Sequence, residues 1–255
     1  MLITGASSGI GEALARDLGA RGASLSLLAR RKEKLDTLAA ELEERHGIRA
    51  LALACDVTAE GDLERAVAVT VEQLGRVDVV VANAGFGVGG PVETLTLDDY
   101  RRQFETNVFG VLRTIYASLD ALKKSRGTLV LMGSIGSYIA GPGSSPYTMS
   151  KFAIRALADA LRGELAAYGI GVVLVNPGFI ESDFRRVDNE GVLHEGKPDP
   201  IPPWLQVSAE DAARDIVRAV RRGQGEHIIT GHGKVLVLAQ RLAPRLTSWA
   251  LSKRG

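Results

Sequence analysis

Short apolar runs alternate along this chain with longer segments in which apolar residues recur every three or four positions. Apolar runs of about four to eight residues are typical of strands buried on both faces of a parallel sheet, and the longer segments are typical of helices that pack against it. The alternation predicts an α/β fold: a doubly wound parallel sheet of about seven strands with helices on both faces, formed as a single domain by residues 1–255. Strands are predicted at 1–4, 23–29, 49–54, 76–82, 127–133, 169–178 and 226–230, and helices at 10–21, 32–45, 58–75, 97–124, 146–169 and 209–222.

The composition excludes several classes of protein. The 255 residues carry 31 basic and 30 acidic side chains, so there is no electrostatic basis for nucleic-acid binding. Cys55 is the single cysteine, which excludes an internal disulfide and is typical of a reducing compartment. Because Cys55 ends an apolar run, we interpret it as a buried thiol rather than a nucleophile. No histidine has a partner at metal-ligand spacing, and no apolar run reaches about 18 residues. We therefore expect a cytoplasmic protein without a metal site.

A glycine-rich turn joins the first strand to the first helix. Gly5, Gly9 and Gly11 follow the spacing Gly-x3-Gly-x-Gly. Glycines at these positions let the backbone turn tightly and approach a pyrophosphate, which lies against the free N–H groups at the start of the helix. Such a turn can also be purely structural, but the βαβαβ order that follows favours a dinucleotide-binding Rossmann fold.

The end of the second strand bears on which dinucleotide binds. An Asp or Glu there would bind the ribose 2′-hydroxyl of NAD, whereas this chain has Ala29 followed by Arg30 and Arg31. A guanidinium favours a 2′-phosphate, so we expect NADP(H) rather than NAD(H), with Arg30 as the contact. The alternative is that the arginines belong to a solvated helix start. Ser8 supplies only a hydroxyl where a basic residue would strengthen the prediction.

Two further strand ends carry candidate cofactor contacts. Asp56 and Val57 close the third strand. There the carboxylate would accept a hydrogen bond from the adenine amino group or cap the next helix, although Thr58 is the better placed cap. Residues 83–85, with the sequence Asn-Ala-Gly, follow the fourth strand. Small residues there would let the backbone pass close to the nicotinamide ribose, while Asn83 braces neighbouring strands.

The strongest chemical signal follows the fifth strand. Tyr147 and Lys151 are four positions apart in a segment with helical spacing, so both side chains face the same space, and Ser134 lies at the end of the strand. A lysine cation beside a phenol favours the phenolate and lowers the pKa of the tyrosine toward working range. Taken alone, the spacing equally fits a half-buried tyrosine beside a solvated lysine. Asn107, inside the helix predicted at 97–124, indicates a kink or a bound water.

In this order and at these intervals, the residues resemble the classical short-chain dehydrogenase/reductase (SDR) family over residues 1 to about 230. The matching motifs are residues 4–11, residues 83–85, Asn107, Ser134, the Tyr-x-x-x-Lys pair and residues 177–178. The resemblance implies a catalytic set of Asn107, Ser134, Tyr147 and Lys151. It implies cofactor contacts from Gly5, Ser7, Ser8, Gly9, Ile10, Gly11, Arg30, Asp56, Val57, Asn83, Ala84, Gly85, Tyr147, Lys151, Pro177, Gly178, Ile180 and Ser182.

The resemblance also implies an activity, the NADPH-dependent interconversion of a ketone and a secondary alcohol by hydride transfer. Tyr147 would donate or accept the proton, and Lys151 would lower its pKa and hold the nicotinamide ribose. Ser134 would position the substrate oxygen, and Asn107 would anchor a water. One alternative is a reductase of 3-oxoacyl or 3-ketosphinganine-type long-chain substrates, to which the chain is less closely similar. Another is a dinucleotide-binding regulator without turnover, which the complete catalytic set disfavours.

The resemblance implies a small-molecule carbonyl or alcohol as substrate, possibly apolar, and a homodimer or homotetramer built on the two long helices. The long loop 179–207 is predicted to be a substrate lid, in which His194 is a solvated residue. The extension 232–255 is interrupted by Arg241, Pro244 and Arg245, so it is too broken to span a bilayer. We expect it to pack on the domain or to form a subunit contact, in preference to membrane contact.

Overall fold

Seven parallel strands form one sheet in a computed structural model that describes residues 1–189, 191–194, 196 and 198–252. The strand order is β3-β2-β1-β4-β5-β6-β7. The predicted doubly wound sheet is confirmed, with β1 between β2 and β4. The strands are β1 Leu2–Thr4, β2 Leu25–Ala29, β3 Ala50–Ala54, β4 Val79–Ala82, β5 Thr128–Met132, β6 Gly171–Asn176 and β7 Glu226–Ile228.

Helices cover both faces of the sheet, as the alternating pattern predicts. One layer contains α1, α2 and α7, and the other contains α3, α5 and α6, each with its own cluster of buried apolar residues. The helices are α1 Gly9–Ala20, α2 Lys32–His46, α3 Asp62–Leu74, α4 Leu97–Phe104, α5 Gly110–Ser125, α6 Ser145–Ala166, α7 Ala209–Arg221, α8 Gly231–Leu242 and α9 Pro244–Ser252.

The central strands are buried on both sides because their side chains alternate between the two layers. Leu2 and Leu28 pack against the α3, α5 and α6 layer, whereas Ile3 and Leu27 pack against the α1, α2 and α7 layer. The parallel register pairs Ile3 with Leu27. All four side chains are at most 1% exposed, which explains why these strands are mostly apolar in sequence.

Two helices differ from their predicted bounds. The helix expected at 58–75 begins at Asp62, after Gly61 in the left-handed conformation with φ 79°. Thr58 is therefore not its cap. The helix expected at 97–124 is divided by a π-helical turn, Glu105–Phe109, which carries Asn107 and separates α4 from α5. A π-turn changes the direction in which side chains leave the helix, so Asn107 marks an irregular turn, and a kink or a bound water there stays a prediction.

The last segments of the chain are an irregular loop and two short helices. Residues 190, 195 and 197 of the predicted lid, and residues 253–255 of the extension, lie outside the described part. The lid contains two short 3-10 turns, Asp183–Arg186 and Pro203–Leu205. Among the helices that the structure describes, none combines the length and apolar character needed to cross a bilayer.

Candidate active site

The carboxyl ends of four neighbouring strands bring most of the predicted site residues to one edge of the sheet. Gly5 follows β1, Asn83 follows β4, Ser134 lies two residues after β5 and Pro177 follows β6. Asn83 Nδ2 donates to the carbonyl oxygens of Thr4 and Gly5 at 2.9 and 3.2 Å, so Asn83 joins β4 to β1 as predicted. The sheet reverses its winding between β1 and β4, which is where open α/β sheets form a ligand crevice.

The glycine-rich turn, which we call the cradle, is packed too closely for a side chain at two of its positions. Gly5 has φ +68°, and a Cβ built on it would lie 2.9 Å from Ala84 Cα. A Cβ on Gly11 would lie 2.3 Å from the carbonyl oxygen of Gly5. The N–H groups at the start of α1 have no partner within the helix, as in every α-helix, so they can bind an anion. The tight turn and the helix start therefore fit a pyrophosphate.

Arg31, rather than Arg30, contacts the glycine-rich turn. Arg31 Nη2 donates to Ser7 Oγ at 2.9 Å and to Ser8 Oγ at 2.8 Å. Arg30 is exposed at the end of β2, and its predicted contact with a 2′-phosphate stays a prediction. The sequence shows two adjacent arginines, and only the direction in which the chain enters α2 decides which one meets the serines.

Asp56 is held at the end of β3 by the turn that follows it. Its Oδ1 accepts from the backbone N–H of Thr58 at 2.9 Å and from Thr58 Oγ1 at 2.7 Å. The alternative that Asp56 caps the next helix is wrong, because α3 begins only at Asp62. Val57 beside it is buried and faces Gly110 of α5, where a Cβ would lie 2.7 Å from Val57 Cγ2.

The predicted catalytic side chains converge at the start of α6. Tyr147 lies in the first turn of α6 and Lys151 in the second, with Lys151 Nζ 5.7 Å from the centroid of the Tyr147 ring. Lys151 Nζ donates to the carbonyl oxygen of Met132 at 2.8 Å. Ser134 Oγ accepts from the backbone N–H of Gly136 at 3.0 Å. The phenol, the ammonium and the serine hydroxyl thus share one largely buried space.

Burial dominates the electrostatics of this space. The pKa of the Tyr147 phenol is raised because burial disfavours the phenolate, and a hydrogen bond from Ser134 and the charge of Arg185 oppose this increase. Burial also lowers the pKa of Lys151 to about 8. The Lys151 ammonium reaches past the ring to the Met132 carbonyl, and Arg185 from the lid is a nearby cation that favours the phenolate. The lowering of the Tyr147 pKa by Lys151 stays a prediction.

Asn107 joins the site to the loop that follows β4. Its Oδ1 accepts from the backbone N–H of Phe86 at 3.1 Å, and its Nδ2 donates to the Phe86 carbonyl at 3.0 Å and to Ser150 Oγ at 3.3 Å. Ser150 Oγ in turn donates to the carbonyl oxygen of Tyr147 at 2.7 Å. These bonds fix α6 relative to the 86–90 loop. The role of Asn107 in anchoring a water stays a prediction.

Sequence reasoning missed Gln103, which supports the same loop. This fully buried glutamine donates to the Phe86 carbonyl at 2.9 Å, and its Oε1 accepts from the backbone N–H of Val88 at 2.6 Å. Gln103 lies four positions before Asn107, so the signal was present as two amide side chains on one helical face.

The predicted lid lies against Tyr147. The ring of Phe184 meets the ring of Tyr147 edge to face, with centroids 5.6 Å apart. Asn189 exchanges two hydrogen bonds with the backbone of Gly89, at 2.9 and 3.0 Å. Ser182 lies beside the glycine-rich turn, because a Cβ on Gly9 would be 3.5 Å from Ser182 Cβ. The lid therefore adjoins both the cradle and the phenol.

The guanidinium of Arg185 holds the lid together by hydrogen bonds, and sequence reasoning did not identify this residue. Arg185 Nε donates to Asp199 Oδ1 at 2.8 Å, and Arg185 Nη2 donates to Asp199 Oδ2 at 2.5 Å. The same Nη2 donates to the carbonyl oxygen of Ile180 at 3.0 Å and to Gln206 Oε1 at 3.3 Å. The pKa of the Asp199 carboxyl is lowered, mainly by its hydrogen bond to Arg185. Arg185 thereby ties the first, middle and last parts of the lid together.

The remaining predicted residues lie where β6 meets the lid and α8. The backbone N–H of Ile135 donates to the Pro177 carbonyl at 2.9 Å. Gly178 packs closely on Thr230, and Ile180 is buried and forms a bridge with Val207 at the far end of the lid. These residues shape the wall of the site beside Ser134.

Comparisons with known proteins agree with this geometry. Residues 1–192 match the family model described as short chain dehydrogenase. The chain is 33% identical over 258 residues to 11-beta-hydroxysteroid dehydrogenase 1A of Arabidopsis thaliana, covering 98% of this chain and 73% of the relative.

Two solved structures share the fold. An alcohol dehydrogenase from the archaeon Thermococcus sibiricus, complexed with 5-hydroxy-NADP, matches with a TM-score of 0.78 and 30% identity over 89% of this chain and 94% of that one. A short chain dehydrogenase/reductase from Burkholderia phymatum, in complex with NAD, matches with a TM-score of 0.85 over 96% and 93% of the two chains. At 22% identity, the second match shows the fold alone.

Proposed function

The chain belongs to the short-chain dehydrogenase family of oxidoreductases, and we propose that it reduces a ketone to a secondary alcohol with NADPH, or catalyses the reverse reaction with NADP⁺. The observation that carries this proposal is the arrangement of Tyr147, Ser134 and Lys151 beside a glycine-rich cradle. A protein that only bound a dinucleotide would have no use for a half-buried phenol beside a serine hydroxyl at the edge of the cradle.

The residues present fit a nicotinamide dinucleotide. The cradle formed by Gly5 and Gly11 and the start of α1 would hold the pyrophosphate, and residues 83–85 would lie beneath the nicotinamide ribose. Ala29 ends β2 without a carboxylate, and the Arg31 guanidinium lies on the two serines of the turn. This basic, carboxylate-free environment supports NADP(H) over NAD(H). Asp56 and Val57 would border the adenine, and Ile180 and Ser182 the nicotinamide amide.

The cofactor preference is tested by titrating NADPH and NADH against three proteins. We expect Arg30→Ala and Arg31→Ala each to weaken NADPH binding by roughly tenfold and to leave NADH binding nearly unchanged, because only NADPH carries the 2′-phosphate. If only one variant shows this difference, that arginine is the phosphate contact. Equal losses for both dinucleotides in both variants would remove the NADP(H) preference.

The chain's own residues provide the proton chemistry. When bound, NADPH supplies the hydride that adds to the carbonyl carbon. The Tyr147 hydroxyl donates its proton to the carbonyl oxygen, and Ser134 holds that oxygen by a hydrogen bond. The resulting phenolate is stabilised by Lys151 and Arg185 and regains a proton from solvent through the polar residues around Asn107. In oxidation each proton moves in the opposite direction.

The proton-donor role is tested by Tyr147→Phe. We expect turnover to fall by at least about a thousandfold, because phenylalanine keeps the ring but has no proton to give. NADPH affinity should change little. Tyr168→Phe, at an exposed tyrosine just beyond the carboxyl end of α6, is the matched control and should keep wild-type activity. Retention of most of the kcat by Tyr147→Phe would contradict the assignment.

An apolar carbonyl compound is the best supported substrate. Phe184 lies on Tyr147, and Trp204 of the lid is exposed, so the entrance has an apolar border. The hydroxysteroid dehydrogenase relative supports the same class. The second candidate is a 3-oxoacyl or 3-ketosphinganine-type long-chain ketone. NADPH oxidation measured over cyclic ketones, 3-oxoacyl thioesters and long-chain 3-keto bases separates the two. Tight NADPH binding with no turnover on any class would favour a non-catalytic regulator.

We also propose a homodimer or homotetramer formed through the long helices. Phe109 at the end of the π-turn, Tyr116 of α5 and Phe152 of α6 are large side chains that remain exposed on these segments. Exposed aromatic side chains grouped on one surface are typical of protein interfaces. Sedimentation of Tyr116→Glu against the wild type tests the proposal, since a monomer in both proteins would contradict it.

A further inference from the structure

The carboxyl-terminal helices leave a row of large apolar side chains in solvent. Val235, Leu238 and Leu242 of α8, and Leu246 and Trp249 of α9, are between 56% and 76% exposed. Within each helix they recur every three or four residues, which is the spacing of one helical face. On the other side of α8, Gly233 and Val237 are buried. The expected packing of this segment on the domain therefore covers one face of α8 and leaves the apolar row uncovered.

The same segment concentrates positive charge. Residues 231–255 contain five of the 31 basic residues and none of the 30 acidic residues, which leaves residues 1–230 with 26 basic and 30 acidic residues. Arg241 turns toward the body of the protein, where it pairs with Glu226 at 3.3 Å. Lys234 and Arg245 are exposed, and within the described residues no carboxylate forms an ion pair with either. Apolar side chains are thus flanked by cations that no acidic neighbour neutralises.

We propose that α8 and α9 form a docking surface for an anionic lipid bilayer and lie in its interface without crossing it. The exposed leucines would enter the boundary between head groups and acyl chains, a depth at which tryptophan such as Trp249 is also favoured. Lys234 and Arg245 would attract the anionic head groups, since each basic residue near such a surface strengthens binding about fivefold.

A second copy of this chain is the competing occupant, and the charge disfavours it. A two-fold contact would place two identical segments, each with five basic and no acidic residues, against one another. Like charges brought together repel most where water is excluded. An anionic membrane presents the opposite charge over its whole surface. Its head groups would neutralise the cations, and its acyl chains would cover the apolar row.

Vesicle flotation with the full chain tests the proposal. We expect the wild type to float with vesicles of mixed phosphatidylcholine and phosphatidylglycerol, and to float far less with phosphatidylcholine alone or at high salt. Leu238→Gln with Leu242→Gln should weaken binding by at least about tenfold, because two apolar side chains that would enter the membrane are lost. Lys234→Gln with Arg245→Gln should weaken it by roughly 25-fold. Val92→Gln, at an exposed valine in the 86–96 loop, is the matched control and should bind like the wild type.

A fluorescence measurement reports on insertion directly. The chain has two tryptophans, so Trp204→Phe leaves Trp249 as the single reporter. We expect its emission to shift to shorter wavelength when anionic vesicles are added. Failure of the wild type to float with anionic vesicles overturns the proposal, and so does equal flotation with neutral vesicles. If the wild type does not float, and the leucine variant sediments with a different mass from the wild type, the surface is a contact between copies. None of these outcomes depends on turnover, so they leave the proposed reductase activity untouched.

Discussion

Burial of Lys151 makes the cofactor-free protein more stable as the pH rises from about 8 to 10.5. Burial lowers the pKa of Lys151 from its ordinary value of 10.5 to about 8. A tenfold change in proton affinity corresponds to about 1.4 kcal/mol, so burying the charged ammonium costs about 3 kcal/mol of folding free energy. Below about pH 8 the lysine is charged in both states and this cost is fully present. Between about pH 8 and 10.5 the unfolded state still binds the proton that the folded state has released, so stability rises with pH.

Replacing Lys151 with methionine isolates this effect. Methionine keeps the length of the side chain and has no proton, so Lys151→Met removes the cost at every pH. We expect the free energy of unfolding of the wild type, minus that of the variant, to rise by roughly 2 to 3 kcal/mol between about pH 7 and 10. The lost hydrogen bond to Met132 adds an offset that does not change with pH. Cys55, whose pKa burial raises to about 12, is present in both proteins, so its titration cancels.

Guanidinium unfolding followed by far-ultraviolet circular dichroism, on protein freed of cofactor, gives both free energies. Lys32→Met is the matched control, because Lys32 is 49% exposed at the start of α2, and its difference from the wild type should stay flat over the same pH range. A difference for Lys151→Met that is flat, or that falls with pH, would refute the argument that burial sets the charge of Lys151.

Two further pairs of substitutions test the packing and the lid. Gly178→Ala should lower the free energy of unfolding by about 1 to 3 kcal/mol, because the new Cβ would lie 2.1 Å from Thr230 Oγ1. Gly163→Ala, at an open position of α6, should raise the free energy of unfolding by about 0.5 to 1 kcal/mol. Thermal unfolding that moves both variants in the same direction would contradict this reasoning. Arg185→Gln should raise KM by roughly tenfold or more, because the lid loses the ion pair that holds it together. It should also move the alkaline limb of the pH–rate profile to higher pH, because Tyr147 loses a nearby cation. Asp199→Asn keeps the cation and should raise KM without moving that limb; a wild-type KM in both variants would exclude the fastening role.

The sequence determined the framework of the fold because its signals are local. Strands such as β4 are recognisable because burial makes them uniformly apolar, and the glycine-rich turn is recognisable because only glycine fits at positions 5 and 11. The four-residue spacing of Tyr147 and Lys151 places them on one helical face whatever surrounds the helix. The position of Ser134 near a strand end follows from strand order alone, since parallel strands end at the same edge of the sheet.

Contacts between distant segments were decided only by the tertiary structure. Arg30 and Arg31 are equivalent in sequence, and the entry of the chain into α2 selects Arg31 for the serines of the turn. The pKa of Tyr147 depends on burial, on Ser134 and on Arg185 from the lid, and the local spacing of Tyr147 and Lys151 reveals none of these neighbours.

The exposed face of α8 and α9 was likewise decided only by the tertiary structure. The apolar residues of α8 and α9 could have been covered by the domain, and only the packing of Val237 inward shows that Leu238 and Leu242 face outward. A periodic pattern specifies which residues share a face of a helix. The neighbours that the face meets, and therefore its burial and its charge, are set by how the whole chain folds.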